Sequence, residues 1–352
     1  MKYYLGLPHS HAFWMRYGAY NKSSSTRTVP NQQNHSAVEI VRSRPAAHSI
    51  PNAKKLSKLE MSGMAESEFD LELIIPDAQS RGKASQVTYR IWNGPESGTF
   101  AKISSHCFIA TPPACYCMLA QSLSKESASA QNKVLLLAEY GCMLCGTYAF
   151  NSATGEMTYG ISPLTSKTAL VRYLERTQRF RGKALAAKAL KIIVNNSASP
   201  MESKLAIALS APASLGGSAL PSPTMNKKIE IPPSLTHAIR KSHYCCDLFW
   251  PGKPAVVLEY DSVQFHTGKE RIAQDTLRRN NLSELGLKII GATQTQVGSI
   301  ENLDNLTRQV AKSIGVRKRI SRDGYAACRL LLWRHLFRCS ARESFHFGSL
   351  VP

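Results

Sequence analysis

The tightest constraint on the fold of this chain lies between residues 244 and 293. Two runs of strand type, Tyr244–Trp250 and Ala255–Asp261, are separated only by Pro251, Gly252, Lys253 and Pro254. Such a turn leaves room for a hairpin and little else. Lys269–Leu285 then carries Ile272, Ala273, Leu277, Leu282 and Leu285 at helical spacing, with Gly286 as a stop. A strand over Leu287–Thr293 and a helix over Leu303–Ile314 follow. Upstream, Ser197–Pro200 breaks one helix and opens the next, Met201–Ser210. A Gly/Pro/Ser loop containing Asn226 leads from it to a strand near Lys228–Ile231. This rhythm predicts an α/β domain over residues 197–315.

The hairpin also places charge. Its centre lies between Gly252 and Lys253, so Asp247 and Glu259 are expected opposite one another on paired strands, where facing side chains are ~5 Å apart. Asp261 shares a face with Glu259 by the two-residue period of a strand. Three carboxylates converging this way repel one another and raise each other's pKa. A hard divalent cation such as Mg²⁺ resolves the conflict and can activate water and stabilise charge on a phosphoryl oxygen. Solvent-facing edge carboxylates are the competing reading. Against it, Glu259 closes the apolar run Ala255–Leu258.

The segment CDLFWPGKPAVVLEYDSVQFH, followed by QDTLRRNNLSELGLKII, resembles the endonuclease domain of the very short patch repair nucleases, within the PD-(D/E)XK superfamily. The likeness covers roughly residues 200–315. It implies a restriction-endonuclease-like mixed sheet flanked by helices, and DNA phosphodiester hydrolysis in repair or in defence against foreign DNA. Asp247 and Glu259 are then Mg²⁺ ligands, and Glu202 is the helix acid that orients water or a second ion. Asp261 stands where the superfamily's name has lysine. His266 is a general acid or a phosphate contact in that lysine's place. Asp275 and Arg278, one helical turn apart, form a structural ion pair or leave Arg278 for phosphate. Lys269, Arg278 and Arg279 are the candidate DNA contacts. Ser262 replaces the family's glycine, whose positive φ or close backbone approach serine tolerates poorly. That substitution keeps a second reading open, a non-catalytic DNA-binding regulator with a decayed nuclease domain.

The charge balance agrees with a polyanionic partner. The 352 residues carry 44 Lys and Arg against 24 Asp and Glu, a formal net charge of +20, and basic side chains on phosphates release condensed counterions. No long uncharged apolar run predicts a membrane span, and the N-terminus lacks a secretory signal pattern. The expected location is the cytoplasm, and the oligomeric state is left open. Residues 1–65 are expected to be mostly poorly ordered and basic, although 1–16 look ordered, with a short helix from Ser10. Residues 66–196 form an α-rich or α+β domain, with strands at Glu68–Ile75, Gln86–Trp92 and Lys102–Thr111. Helices are expected from Pro112 to Leu123 and over Lys133–Tyr148, Lys167–Glu175 and Arg179–Asn195.

Segments of this half, among them IATPPACYCMLAQSL and RFRGKALAAKALKII, faintly resemble the antitoxin-type regulators of the AbiE abortive-infection system, which implies a DNA-binding element. Arg172, Arg176, Arg179, Arg181 and Lys183 are its best basic stripe, with a solvated helix face as the rival. Cys115, Cys117, Cys142 and Cys145 could make a zinc set, but the first pair sits in an apolar helical run where cysteine packs as a small hydrophobe. Lys312–Arg342 holds nine Lys and Arg against Asp323. Its core, Tyr325–Phe337, is a possible helix for DNA, for a membrane surface or for the nuclease domain.

Overall fold

A computed structural model describes residues 2–23, 39–46, 71–83, 87–151, 155–233, 242–261, 269–317 and 323–338. The chain divides into two compact units, one from Met1 to Lys191 and the other from Ile192 to Ser340. Both mix helices with sheets, so the protein is α/β in class. Among the described residues no helix is long and apolar enough to cross a membrane.

In the first unit β1 (Tyr3–Leu5) leads straight into α1 (Leu7–Ser23), followed by β2 (Glu39–Arg42), β3 (Leu71–Ile75), β4 (Val87–Ile91), β5 (Ser97–Lys102) and β6 (Cys107–Ala110). These strands form one sheet in the order β2-β5-β6-β1-β3-β4. Thus β1 and β2 place two short pieces of residues 1–65 in the sheet, and Tyr3, Tyr4, Leu5, Leu7, Trp14 and Met15 are core residues. Beyond residue 16 the described residues of this stretch include the end of α1 and the strand β2. Strand β1, at the middle of the sheet, pairs parallel with β6 and antiparallel with β3. The single strand expected over Lys102–Thr111 is instead the end of β5, a turn and β6.

Helix α2 (Pro112–Leu123) starts on a proline at its first turn, where the missing N–H has no partner to lose. Ala114 through Ala120 are completely buried, the pattern of a helix enclosed on all sides. Cys115 and Cys117 are part of that core. Cys142 and Cys145 are equally buried at the end of α3 (Ala130–Cys145). The hairpin β7 (Tyr148–Asn151) and β8 (Glu156–Tyr159) follows, then α4 (Lys167–Arg176) and α5 (Lys183–Leu190). The helix expected over Arg179–Asn195 is therefore shorter at both ends. Gly182 sits at φ 103°, and a Cβ there would lie 2.3 Å from the Ala120 carbonyl oxygen, so residues 177–182 are held as a loop against α2.

One ion pair ties the first unit together. Glu72 on β3 and Arg90 on β4 are 3% and 8% exposed. Glu72 Oε1 accepts from Arg90 Nε at 2.9 Å and from the Leu7 amide at 2.8 Å, while Oε2 accepts from Arg90 Nη2 at 2.8 Å. Arg90 also donates to the Met118 carbonyl, Gln121 Oε1 and Ser122 Oγ on α2. A buried carboxylate thus caps α1, because it takes one of the amides that no helix can satisfy internally.

In the second unit α6 (Pro200–Ser210) precedes β9 (Thr224–Glu230), β10 (His243–Trp250) and β11 (Ala255–Asp261), then α7 (Lys269–Glu284) and β12 (Leu287–Thr293). The sheet order is β12-β11-β10-β9. β11 pairs antiparallel with β10 and parallel with β12, so α7 is the crossover that a parallel pair needs. Asn226 lies within β9, not in the preceding loop, and adopts φ 48°. A short α8 (Gln294–Val297), α9 (Ile300–Ser313) and α10 (Tyr325–Trp333) complete the unit. The described part of the basic tail therefore packs on its own unit. Arg329, 2% exposed, pairs with Asp304 at 2.9 Å and donates to the Gly216 carbonyl at 3.0 Å.

Removing one partner of a buried pair leaves the other charge uncompensated. Arg90→Met is expected to lower unfolding stability by about 3–5 kcal/mol in urea titrations followed by circular dichroism. Adding Glu72→Leu to it should restore a large part of the loss, because both charges are then gone.

Candidate active site

The carboxylates on β10 and β11 start from the hairpin register. Leu248 pairs with Leu258, Phe249 with Val257 and Trp250 with Val256, the alignment predicted from the turn centre. Beyond Leu248 the next contact is a side-chain one. The Tyr260 amide donates to Asp247 Oδ2 at 2.9 Å, which ties Asp247 to the residue after Glu259. Glu259 itself is 8% exposed at the end of an apolar strand whose Val256, Val257 and Leu258 are core. Burial pushes the Glu259 carboxyl upward, the charge of Asp247 pushes it further, and Arg278 works against both. Burial also raises Asp247, the Tyr260 amide and Arg278 oppose it, and Asp261 adds to the rise. Asp247 and Asp261 thus both act on the Glu259 carboxyl, and Asp261 acts on Asp247, each in the direction expected of a nearby like charge.

Glu202 joins this group from α6. Ser199 caps that helix, its hydroxyl accepting from the Glu202 amide at 3.2 Å and donating to Glu202 Oε1 at 2.9 Å. The exchange differs from a capping box in that the Ser199 hydroxyl, not its amide, donates to Glu202. Glu202 Oε2 accepts from the Ala198 amide at 2.8 Å and from Asn226 Nδ2 at 2.6 Å. Burial, and next the charge of Asp247, push the Glu202 carboxyl from the ordinary 4.5 up to about 7. Asn226 also donates to the Asn196 carbonyl at 2.9 Å, so it braces Glu202 against the start of the unit. Sequence pattern alone places Asn226 in a loop and gives it no role. The available signal was its type, since asparagine is among the few non-glycine residues that tolerate positive φ.

The basic residues come from α7. Arg278 Nη2 bonds Glu259 Oε2 at 2.7 Å and the Cys245 carbonyl at 2.5 Å. Its neighbour Arg279 pairs with Asp261, in a more exposed setting. Arg278 therefore directs its charge to Glu259; the side chain of its expected partner, Asp275, lies outside the described residues. So does that of Lys269, and so do Ser262 and His266 entirely.

Two orphaned atoms stand out. Glu259 Oε1 and Arg278 Nε are buried without a hydrogen-bond partner. A bare carboxylate oxygen in a buried site costs free energy and marks a place for a positive ligand. Among the described residues no group of three or more His, Cys, Asp or Glu side chains is arranged to hold a metal. What the chain offers is an all-oxygen pair, Asp247 and Glu259. That donor set suits Mg²⁺, which keeps several waters and commonly takes one or two carboxylates.

Compared with known proteins, the chain matches no family model, no curated sequence and no solved structure.

The raised Glu202 carboxyl gives a signed pH dependence. Between its unfolded value near 4.5 and its folded value near 7 the folded state holds a proton that the unfolded chain releases. Its contribution is therefore complete below about pH 4.5 and is lost as pH rises through about 7. Unfolding stability of the wild type is expected to fall over that window, and Glu202→Gln should flatten the slope. Denaturant midpoints measured across the window check this.

Proposed function

We propose that the second unit is a Mg²⁺-dependent endonuclease of restriction-endonuclease-like type, hydrolysing DNA phosphodiester bonds in repair or in defence against foreign DNA. The observation that carries this reading is the buried carboxylate set around Glu259. Burial raises both Asp247 and Glu259, the charge of Asp247 raises Glu259 further, and one oxygen of Glu259 has no partner. Glu202 stands close enough to feel the Asp247 charge. Purely structural carboxylates are expected to have both oxygens satisfied.

In this reading Asp247 and Glu259 hold the metal. When bound, the ion lowers the pKa of a coordinated water and offsets charge on the phosphoryl oxygens. The remaining work belongs to the chain. Glu202 is fixed by three donors, and its carboxyl titrates near neutrality, which suits it to orient a water molecule and share its proton. The Tyr260 amide holds Asp247 in place. Arg278 and Arg279 set two guanidinium groups beside the carboxylates, the side-chain type that grips phosphate with two parallel bonds. Asp261 contributes no positive charge, so these arginines and His266 are left to stabilise the transition state.

A second reading, a DNA-binding regulator that does not cut, is favoured by the same arginines. Arg278 on Glu259 and Arg279 on Asp261 already neutralise two of the carboxylates. Plasmid relaxation separates the two. Wild type with Mg²⁺ is expected to nick supercoiled DNA, and Asp247→Ala and Glu259→Ala to lose at least about a hundredfold in rate, since a metal supplies several kcal/mol. Wild type and both variants behaving alike, whether all active or all inert, would sink the nuclease reading.

A further inference from the structure

The first unit carries a cleft that the carboxylates do not explain. It lies between the end of β4 and the loop joining α4 to α5, with a volume of about 190 Å³. Ile91, Trp92 and Phe180 line one part of it, and Asn93, Gln121, Gln178 and Arg179 supply polar groups. The walls are fixed from behind. Trp92 Nε1 donates to the Tyr173 hydroxyl at 3.3 Å, and that hydroxyl shares a 3.0 Å hydrogen bond with Thr99 Oγ1. The Phe180 ring meets Trp92 edge-on, centroids 5.2 Å apart. On the loop side, Thr177 Oγ1 donates to the Tyr173 carbonyl, Lys183 Nζ to the Thr177 carbonyl, and Gly182 lies against Ala120. Gln121 is held through its Oε1 by Arg90. A cleft built this way exists before any ligand arrives, which lowers the cost of binding.

Its size and charge narrow the occupant. Sites for drug-sized ligands and cofactors run to ~300–1,000 Å³, so this one admits a single ring system with the rest of the ligand outside. Outside, the surroundings are basic. Residues 172–191 hold seven Lys and Arg against Glu175 alone, and Arg172, Arg176, Arg179 and Arg181 are exposed. A flat ring flanked by phosphates satisfies both conditions. Aromatic and arginine side chains stack bases that are free of a duplex, and amide side chains bond base edges. A duplex keeps its bases stacked and cannot insert one here without unpairing it. An anionic lipid or an acidic peptide would meet the charges but has no ring-and-amide complement.

We propose that this cleft receives one unstacked base of a single-stranded nucleic acid against Phe180, with Arg179 and Arg181 on the flanking phosphates. The inference extends the nucleic-acid part of the reading above to the first unit, and it needs neither metal nor the Asp247 site.

Fluorescence anisotropy of the full chain with a labelled single-stranded oligonucleotide, in EDTA, tests it. Phe180→Ala is expected to weaken binding by roughly five- to a hundredfold, the range for losing one stacked base. Arg179→Glu lies on the exposed rim, so it keeps the proposal testable if Phe180→Ala fails to fold. It should weaken binding and reduce the salt slope by about 0.7 for every phosphate that the rim no longer neutralises. Unchanged affinity in folded Phe180→Ala and in Arg179→Glu overturns the proposal. So does displacement of the strand equally well by a duplex, by a mononucleotide or by vesicles of anionic lipid. Because binding is read in EDTA, it is separable from cleavage. A wild type that holds the strand through Phe180 yet nicks no plasmid with Mg²⁺ supports this site and removes the nuclease reading.

Discussion

A carboxylate withdrawn from water costs several kcal/mol unless partners replace its hydration, and both units of this protein bury such groups, Glu72 in the first and Glu259 in the second among them. Glu72 has every replacement it needs. Both oxygens accept charge-assisted bonds from Arg90, and the Leu7 amide adds a third. Glu259 is treated differently. One oxygen takes Arg278 and the other takes nothing. The same chemical group is therefore a fastener in one place and an acceptor with an unused oxygen in the other, and the number of donors around it makes that difference.

The fastener reaches further than its own strands. Through Arg90 it fixes Gln121, and through Gln121 one edge of the cleft beside Phe180. Through the Leu7 amide it sets where α1 begins. Gly6 belongs to the same device, since a Cβ there would fall 1.9 Å from Glu72 Oε1. The cleft at the loop after α4 and the helix start at residue 7 are thus mechanically related, although more than a hundred positions separate them along the chain.

What the sequence revealed follows the range of the interactions involved. The hairpin over β10 and β11 was legible because a short turn and alternating side chains fix its register locally, and Asp247 and Glu259 came with it. The helix that carries Glu202 was legible through Ser199 and Pro200, which announce its start, while Glu202 itself was singled out only by the resemblance. The start of α1 was not, because its cap is supplied by Glu72 from a distant strand. Nor was the shortening of α5, where Ala- and Lys-rich composition favours a longer helix and the close approach of Gly182 to Ala120 overrides it. The role of Arg278 was half legible. Its presence on a helix after β11 could be read, but its choice of Glu259 depends on how α7 crosses the sheet, which no local pattern records.

The crossover itself has a consequence for the order of assembly. β10 and β11 are joined by a four-residue turn, so their pairing closes a short loop, whereas Arg278 and Arg279 arrive only when α7 has crossed and β12 has docked parallel to β11. Contacts that close short loops form early, and those that wait for a crossover form late. On that rule the hairpin is expected to bring Asp247 and Glu259 together before Arg278 and Arg279 are in place. Until α7 arrives, protons, dissolved cations and lysines near in sequence such as Lys253 are what can offset those two carboxylates.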